Sequence, residues 1–346
     1  MQRGGNYATG RWEDRGECVV VKKEAGISIL LVVLCAIVAI KNPRFLGAAN
    51  LENMARLIGM FGIFSIGMGL VIITGGIDLS VGSVFALLGV MLVIMLREWH
   101  WFWAVAVLAV IAGTMTLGWF HGLLITRARM QPFIVTLCGL LFYRGLARYI
   151  AHDETMGFVN ENFGPLRNLA TGSVFGLPMP FVLLLVTAAV MWVVLHRSVY
   201  GRYLFAVGRN EEAARYSGIN SRAIIASSYI LAGALAGVSG ILIAFYTNSI
   251  SPSTHGNFYE LYGIAAAVLG GCSLRGGEGS ILGIVIGTAL LQVLQNLVNL
   301  LGIDSSLNFA VMGAVILIGV LADELLSARR RSRKVLVAAG GNKSAG

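Results

Sequence analysis

"IGMFGIFSIGMGLVIITGGIDLSVGSVFALLGVMLVIML", residues 58–96, runs for 39 residues with Asp78 as its ionisable group. A helix needs about 20 apolar residues to cross a bilayer, so the stretch holds two crossings joined by a turn. The pair Gly75-Gly76 breaks the first helix, because glycine tolerates backbone that other residues resist. Asp78 or Ser80 then caps the second, satisfying N–H groups that cannot stay open in lipid. Asp78 has a second reading as part of a path across the membrane, since an ionisable group at membrane depth is a site candidate by default.

The rest of the chain extends this pattern. Of 346 residues, 57% are hydrophobic and 12% charged, with a mean hydropathy of +0.78; a soluble domain carries about 25% charged residues. Apolar blocks fall at about 27–40, 54–74, 79–96, 101–125, 133–150, 181–195, 223–246, 260–274, 279–300 and 306–323, and all 6 prolines lie between them. The expected fold is an all-α integral membrane protein of about ten transmembrane helices. Several blocks are short for a crossing, which suits broken or re-entrant helices. Nineteen of the 26 Lys and Arg residues gather on one set of loops and tails: residues 1–25, "TRARM", 196–222, Arg275 and the C-terminal tail. By the positive-inside rule those segments and both termini are cytoplasmic, residues 1–25 and 326–346 being tails on a transmembrane domain at 26–325. The net charge of +9 is thereby a matter of topology, and "ARRRSRK" near the C-terminus is an anionic-lipid anchor. No zinc-finger or basic-aromatic pattern points to nucleic acid. The 4 cysteines are scattered without a CxxC, and His121, inside an apolar run, reads as a packed histidine, so no metal site is expected.

Small residues at four-residue spacing, Gly118/Gly122, Gly233/Gly237 and Gly279/Gly283/Gly287, allow helices to approach closely. Within the basic loop at 196–222, "AVGRNEEAARYSGIN" (206–220) reads as a short polar helix. Asn210 is a good N-cap, Glu211 and Glu212 sit where the helix dipole favours acids, and Gly218 ends it in a left-handed cap. Its interior runs Ala213, Ala214, Arg215, with the alanines giving a slim side. The segment is either an ordinary solvated loop helix or one that enters a groove on another protein. Gln292, Gln295, Asn296 and Asn299 fall on one face of a single helix, and such amides must meet protein or water. They are interhelical glue or the lining of a pore that offers donors and acceptors to hydroxyls.

Three stretches, "VIITGGIDLSVGS" (71–83), "YGRYLFAVGRNEEAARYSGIN" (200–220) and "AAAVLGGCSLRGGEGSILG" (265–283), resemble the signature segments of ribose/xylose/arabinose-type permeases. Those are membrane subunits of ABC sugar importers, in the wider family that includes branched-chain amino-acid permeases. The resemblance runs from about residue 25 to 330. It implies that Asn210, Glu211, Glu212, Ala213, Ala214, Arg215 and Gly218 form a coupling helix that docks on a separate ATPase subunit. It also implies a second permease subunit, a substrate-binding protein delivering a small sugar (a pentose, deoxyhexose or similar), and a bacterial inner-membrane location. The outer segments 151–180 and 246–260 are candidate docks for that binding protein. No G-x-x-x-x-G-K-[ST] occurs, so ATP is expected on the partner and no cofactor or catalytic group on this chain. A branched-chain amino-acid or nucleoside importer is the alternative within the family. An ion-coupled secondary transporter is the alternative outside it, disfavoured because Asp78, Glu260 and Arg144 read as lying near span ends.

Overall fold

A computed structural model describes residues 13–158 and 163–302, with isolated positions between 307 and 317; side chains are described from residue 25. The elements in order are α1 (Glu13–Lys41), α2 (Ala48–Ile73), α3 (Val81–Arg97), α4 (Trp103–Thr126), α5 (Pro132–Ile150), β1 (Met156–Gly157), α6 (Gly164–Thr171), β2 (Ser173–Val174), β3 (Leu177–Pro178), α7 (Met179–Trp192), α8 (Val199–Arg209), α9 (Glu211–Tyr216), α10 (Ser221–Thr247), β4 (Ser249–Ile250), α11 (Tyr259–Leu269) and α12 (Ile281–Leu300). A single π turn at Val193–Arg197 extends α7. The strands form two small antiparallel ladders, β1 with β4 and β2 with β3. The chain divides into units 1–293 and 294–346, the second beginning inside α12.

This is an all-α membrane protein. Among the described residues, six helices are long and apolar enough to cross a bilayer, and three shorter apolar helices lie at Ala25–Lys41, Val81–Arg97 and Tyr259–Leu269. Nine of the expected blocks thus carry helices; the block at 306–323 is described only at isolated positions, and the tail at 326–346 lies outside the described residues. Residues 13–24, expected as polar leader, continue the first helix towards the N-terminus.

The molecule is arranged around α2. Residues 59–73 are buried without interruption, as in a helix that is apolar all round and enclosed by others. Helices α7, α10 and α11 pack on it, and α10 packs along α4. In lipid this association depends on close packing and polar bonds rather than on hydrophobic drive. Both are present. A Cβ at Gly118 would collide with the Tyr229 backbone and one at Gly233 with the Thr114 backbone, so only glycine permits the α4–α10 approach. Ser239 Oγ donates to the Met60 carbonyl (2.6 Å) and the Tyr246 hydroxyl to Asn53 Oδ1 (2.9 Å), tying α10 to α2.

Candidate functional site

At one end of the bundle, the α9 end, the three quoted stretches come to one point. After Ile73 the chain turns through Gly75 (φ +79°), while Gly276 (φ +81°) and Gly277 (φ +74°) turn the α11–α12 connection. The Gly277 N–H donates to the Ile73 carbonyl at 2.8 Å. A Cβ on Gly208 would strike the Ile73 carbonyl and Gly277 nitrogen, and one on Gly276 would strike Gly208 and Gly75. Main chain therefore packs on main chain where α8 crosses both glycine turns.

Beyond that junction, α9 is built by its caps. Asn210 accepts from the Ala213 N–H at 2.9 Å, with Glu211 and Glu212 in the first turn. Gly218 (φ +84°) closes the other end: its N–H reaches the Arg215 carbonyl and that of Ile219 reaches Ala214, the paired bonds of a Schellman motif. Ser221 Oγ donates to Glu211 Oε1 at 2.9 Å, anchoring α9 to α10. Ala214 turns inward, so the exposed face consists of Glu212, Ala213, Arg215 and Tyr216, the tyrosine 83% exposed. The slim side expected from the alanines is thus divided: Ala213 faces out and Ala214 supports the fold.

A second feature lies deeper. Residues 76–80 leave the junction without regular structure and α3 starts only at Val81. Arg97, at its far end, donates from Nη1 to the Gly157 carbonyl (2.8 Å), which belongs to the ladder opposite the α9 end. Gly82 thus lies about 22 Å below that end at 1.5 Å per residue. The segment 251–258 descends alongside: Ile250 packs at Gly89 and the Gly256 carbonyl sits against Gly82. Helix α11 begins there, its Tyr259 packed on Phe61 and Phe64 of α2. Two broken helices, α3 and α11, therefore present their N-termini to each other inside the bundle.

Glu260 joins them. From the first turn of α11 its carboxylate, 7% exposed, lies against the Gly82 backbone and reaches the Gly82 N–H at the start of α3. Arg144 of α5 holds the descending segment from the side, Nη1 donating to the carbonyls of Pro252 (3.1 Å) and His255 (2.7 Å). His255 is buried, and its Nε2 has no hydrogen-bond partner among the described residues. Asp78, 6% exposed, accepts from the Ser80 N–H and hydroxyl, a local turn that leads the chain into α3. The preceding carbonyl, Ile77, accepts from Tyr229 and Thr136. His121 is the packed histidine expected, bonded to the Tyr143 hydroxyl at 2.9 Å. Toward the end opposite α9, Arg148 donates to both oxygens of Asp153 and holds that carboxyl below the ordinary aspartate range.

The sequence singled out Gly75, Gly76, Asp78 and Ser80, which this region unites, and missed Glu260, Arg144 and His255 as its members. Their signal was a polar run, "SPSTHGNFYE" (251–260), opening directly into an apolar block. The amide stripe is carried by α12: Gln292 is buried, Gln295 and Asn296 are half-buried and Asn299 is exposed.

Residues 50–320 match the family described as branched-chain amino acid transport system / permease component. The chain belongs to this permease family. The ribose import permease of Bacillus subtilis is 39% identical over 311 residues, covering 89% of this permease and 95% of that protein. The ribose import permease of Escherichia coli K12 is 39% identical over 298 residues, covering 85% and 92%. The L-arabinose transport system permease of the same strain is 31% identical over 310 residues, covering 89% and 92%. No solved structure matches the permease significantly.

Proposed function

We propose that this permease is the membrane subunit of an ABC importer for ribose or a closely related small sugar in the bacterial inner membrane. In this reading the α9 end faces the cytoplasm and α9, with the loop 196–222, docks on a separate ATPase subunit. A second permease subunit completes the pathway, and a binding protein delivers sugar to the opposite end at 151–180 and 246–260. About ten spans and cytoplasmic tails complete the topology.

The observation that carries the reading is the main-chain junction of α8 with both glycine turns. Each turn leads into a segment serving a broken helix: residues 76–80 run up to α3, and 270–280 follow α11. Movement imposed on α9 by nucleotide-driven closure of the ATPase pair passes through α8 to backbone, with no flexible side chain to absorb it. The N-termini of α3 and α11 meet at Glu260, so a shift at the junction changes how those helices abut at membrane depth. Broken helices whose termini meet inside the bilayer are a recurrent architecture for substrate passage. Amides on α12 and the Glu260–Ser80 region supply polar contacts suited to hydroxyls.

The Glu260–Arg144 region also favours a second reading, an amino-acid substrate whose two charges need partners. The test is reconstitution with the cognate ATPase and binding protein in proteoliposomes, measuring ATP-dependent uptake of labelled ribose, arabinose and leucine. Ribose uptake that requires ATP supports the proposal. Leucine uptake alone transfers it to the second reading, and uptake that follows an ion gradient instead of ATP defeats both. Glu212→Arg, which places a cation at the start of α9, is expected to abolish ATPase co-purification.

A further inference from the structure

Helices α4 and α10 run antiparallel, with their backbones in contact at Gly118 against Tyr229 and Gly122 against Ala226. One turn further towards the α9 end, glycine gives way to Thr126 and Arg127 on α4, facing Asn220 and Arg222 around the start of α10. These side chains cannot be accommodated at that spacing, and the helices part around a groove of about 600 Å³. Trp119 and Leu123 continue its α4 wall, and Ala223 and Ala226 its α10 wall.

The charge in the groove is one-sided. Arg127 and Arg222 are both exposed, and neither guanidinium has an ion pair or hydrogen bond among the described residues. Two uncompensated guanidiniums in one groove suit a phosphate diester, which accepts forked hydrogen bonds from each. Trp119 lies eight residues before Arg127, about 12 Å along the helix axis. That separation matches the distance from a lipid headgroup to the upper part of its acyl chains. The apolar wall continues onto exposed Met115 and Phe120, a surface that belongs against hydrocarbon. A free anion would leave that half of the groove wet, whereas a lipid fills both halves.

We propose that the α4–α10 groove binds an anionic phospholipid of the cytoplasmic leaflet, its phosphate on Arg127 and Arg222 and an acyl chain along Trp119 and Leu123. Basic pockets between membrane helices on the cytoplasmic side have this chemistry. The assignment rests on the α9 end facing the cytoplasm. Its consequence is local, because Ser221, next to Arg222, holds Glu211 at the start of α9. The bound lipid steadies the anchor of the coupling segment.

The test uses the full chain in nanodiscs containing either brominated phosphatidylglycerol or brominated phosphatidylcholine. The Trp119 signal is taken as wild type minus Trp119→Phe. Phosphatidylglycerol is expected to quench it at lower mole fraction than phosphatidylcholine, with the preference falling about five-fold for each arginine removed in Arg127→Gln and Arg222→Gln. Arg127→Lys/Arg222→Lys keeps the charge and retains part of the preference, separating loss of binding from loss of fold. Equal quenching by the two lipids overturns the proposal, as does an unchanged preference in the double glutamine variant. Displacement of the lipid by millimolar inorganic phosphate also overturns it, since the groove would then read the anion alone. Loss of ATPase co-purification in the glutamine variants with lipid preference intact would reassign the arginines to a protein partner.

Discussion

At the scale of single residues, Gly208 and Glu260 make opposite demands. Gly208 is held by the absence of a side chain: a methyl group there would occupy the space of the Ile73 carbonyl, which cannot move without shifting α2. Gly208→Ala is expected to cost about 1–3 kcal/mol, the usual range for overpacking, and to lower uptake more than stability because the junction transmits motion. Gly145→Ala, where the added carbon meets nothing within 4 Å, is the neutral control. Thermal unfolding in detergent alongside ATP-dependent uptake checks both. Glu260 is held by what it accepts. Glu260→Ala strands the Gly82 N–H inside the bundle, a loss of about 1–3 kcal/mol for a buried donor without a partner, while Glu260→Gln keeps an acceptor and most of the stability. If the two variants melt alike, the cap is not what Glu260 provides. The sequence made Gly75, Asp78 and Ser80 visible because they interrupt an apolar run. It hid Glu260, whose role depends on a helix start 178 residues earlier in the chain, Gly82.

At the scale of elements, the caps of α9 were legible, and short blocks pointed to broken helices without showing which ones or how they meet. A six-residue helix is far below the length that holds itself together in water, so α9 exists through its caps, and caps are local signals. Asn210→Ala is expected to remove about 1 kcal/mol from it, and Gly218→Ala places a Cβ at φ +84°. Both variants should weaken ATPase association while leaving the melting temperature of the membrane domain within a few degrees. Unchanged association would show that α9 is held by its partner and not by its own ends. Helices α3 and α11 gave a different result. Their hydrophobicity marked them as spans, and that pattern is blind to depth. Where each begins is set by Glu260 bridging two N-termini and by Arg144 gripping the carbonyls of the segment between. Of the residues expected near span ends, Asp78 and Glu260 do lie at helix starts, those of α3 and α11, whereas Arg144 lies within α5.

For the whole molecule, composition and charge asymmetry carried most of the reading. Residues meeting at the α9 end include Arg127, Arg197, Arg209 and Arg222, all within segments that the positive-inside count assigned to one side before any contact was known. Helix packing and charge counting rest on independent physics, one on close approach and the other on the cost of moving cations across the membrane. Their agreement on a single end gives a sharp expectation for sidedness. In a variant with its native cysteines replaced, Ser217→Cys on the exposed flank of α9 should resist a membrane-impermeant maleimide in intact cells and react after lysis. Phe175→Cys, fully exposed in the β2–β3 turn at the other end, should react in intact cells. Labelling of Ser217→Cys from outside would invert the topology. With it would fall the ATPase dock on α9 and the cytoplasmic leaflet as the source of the groove lipid, since both require that end to meet the interior of the cell.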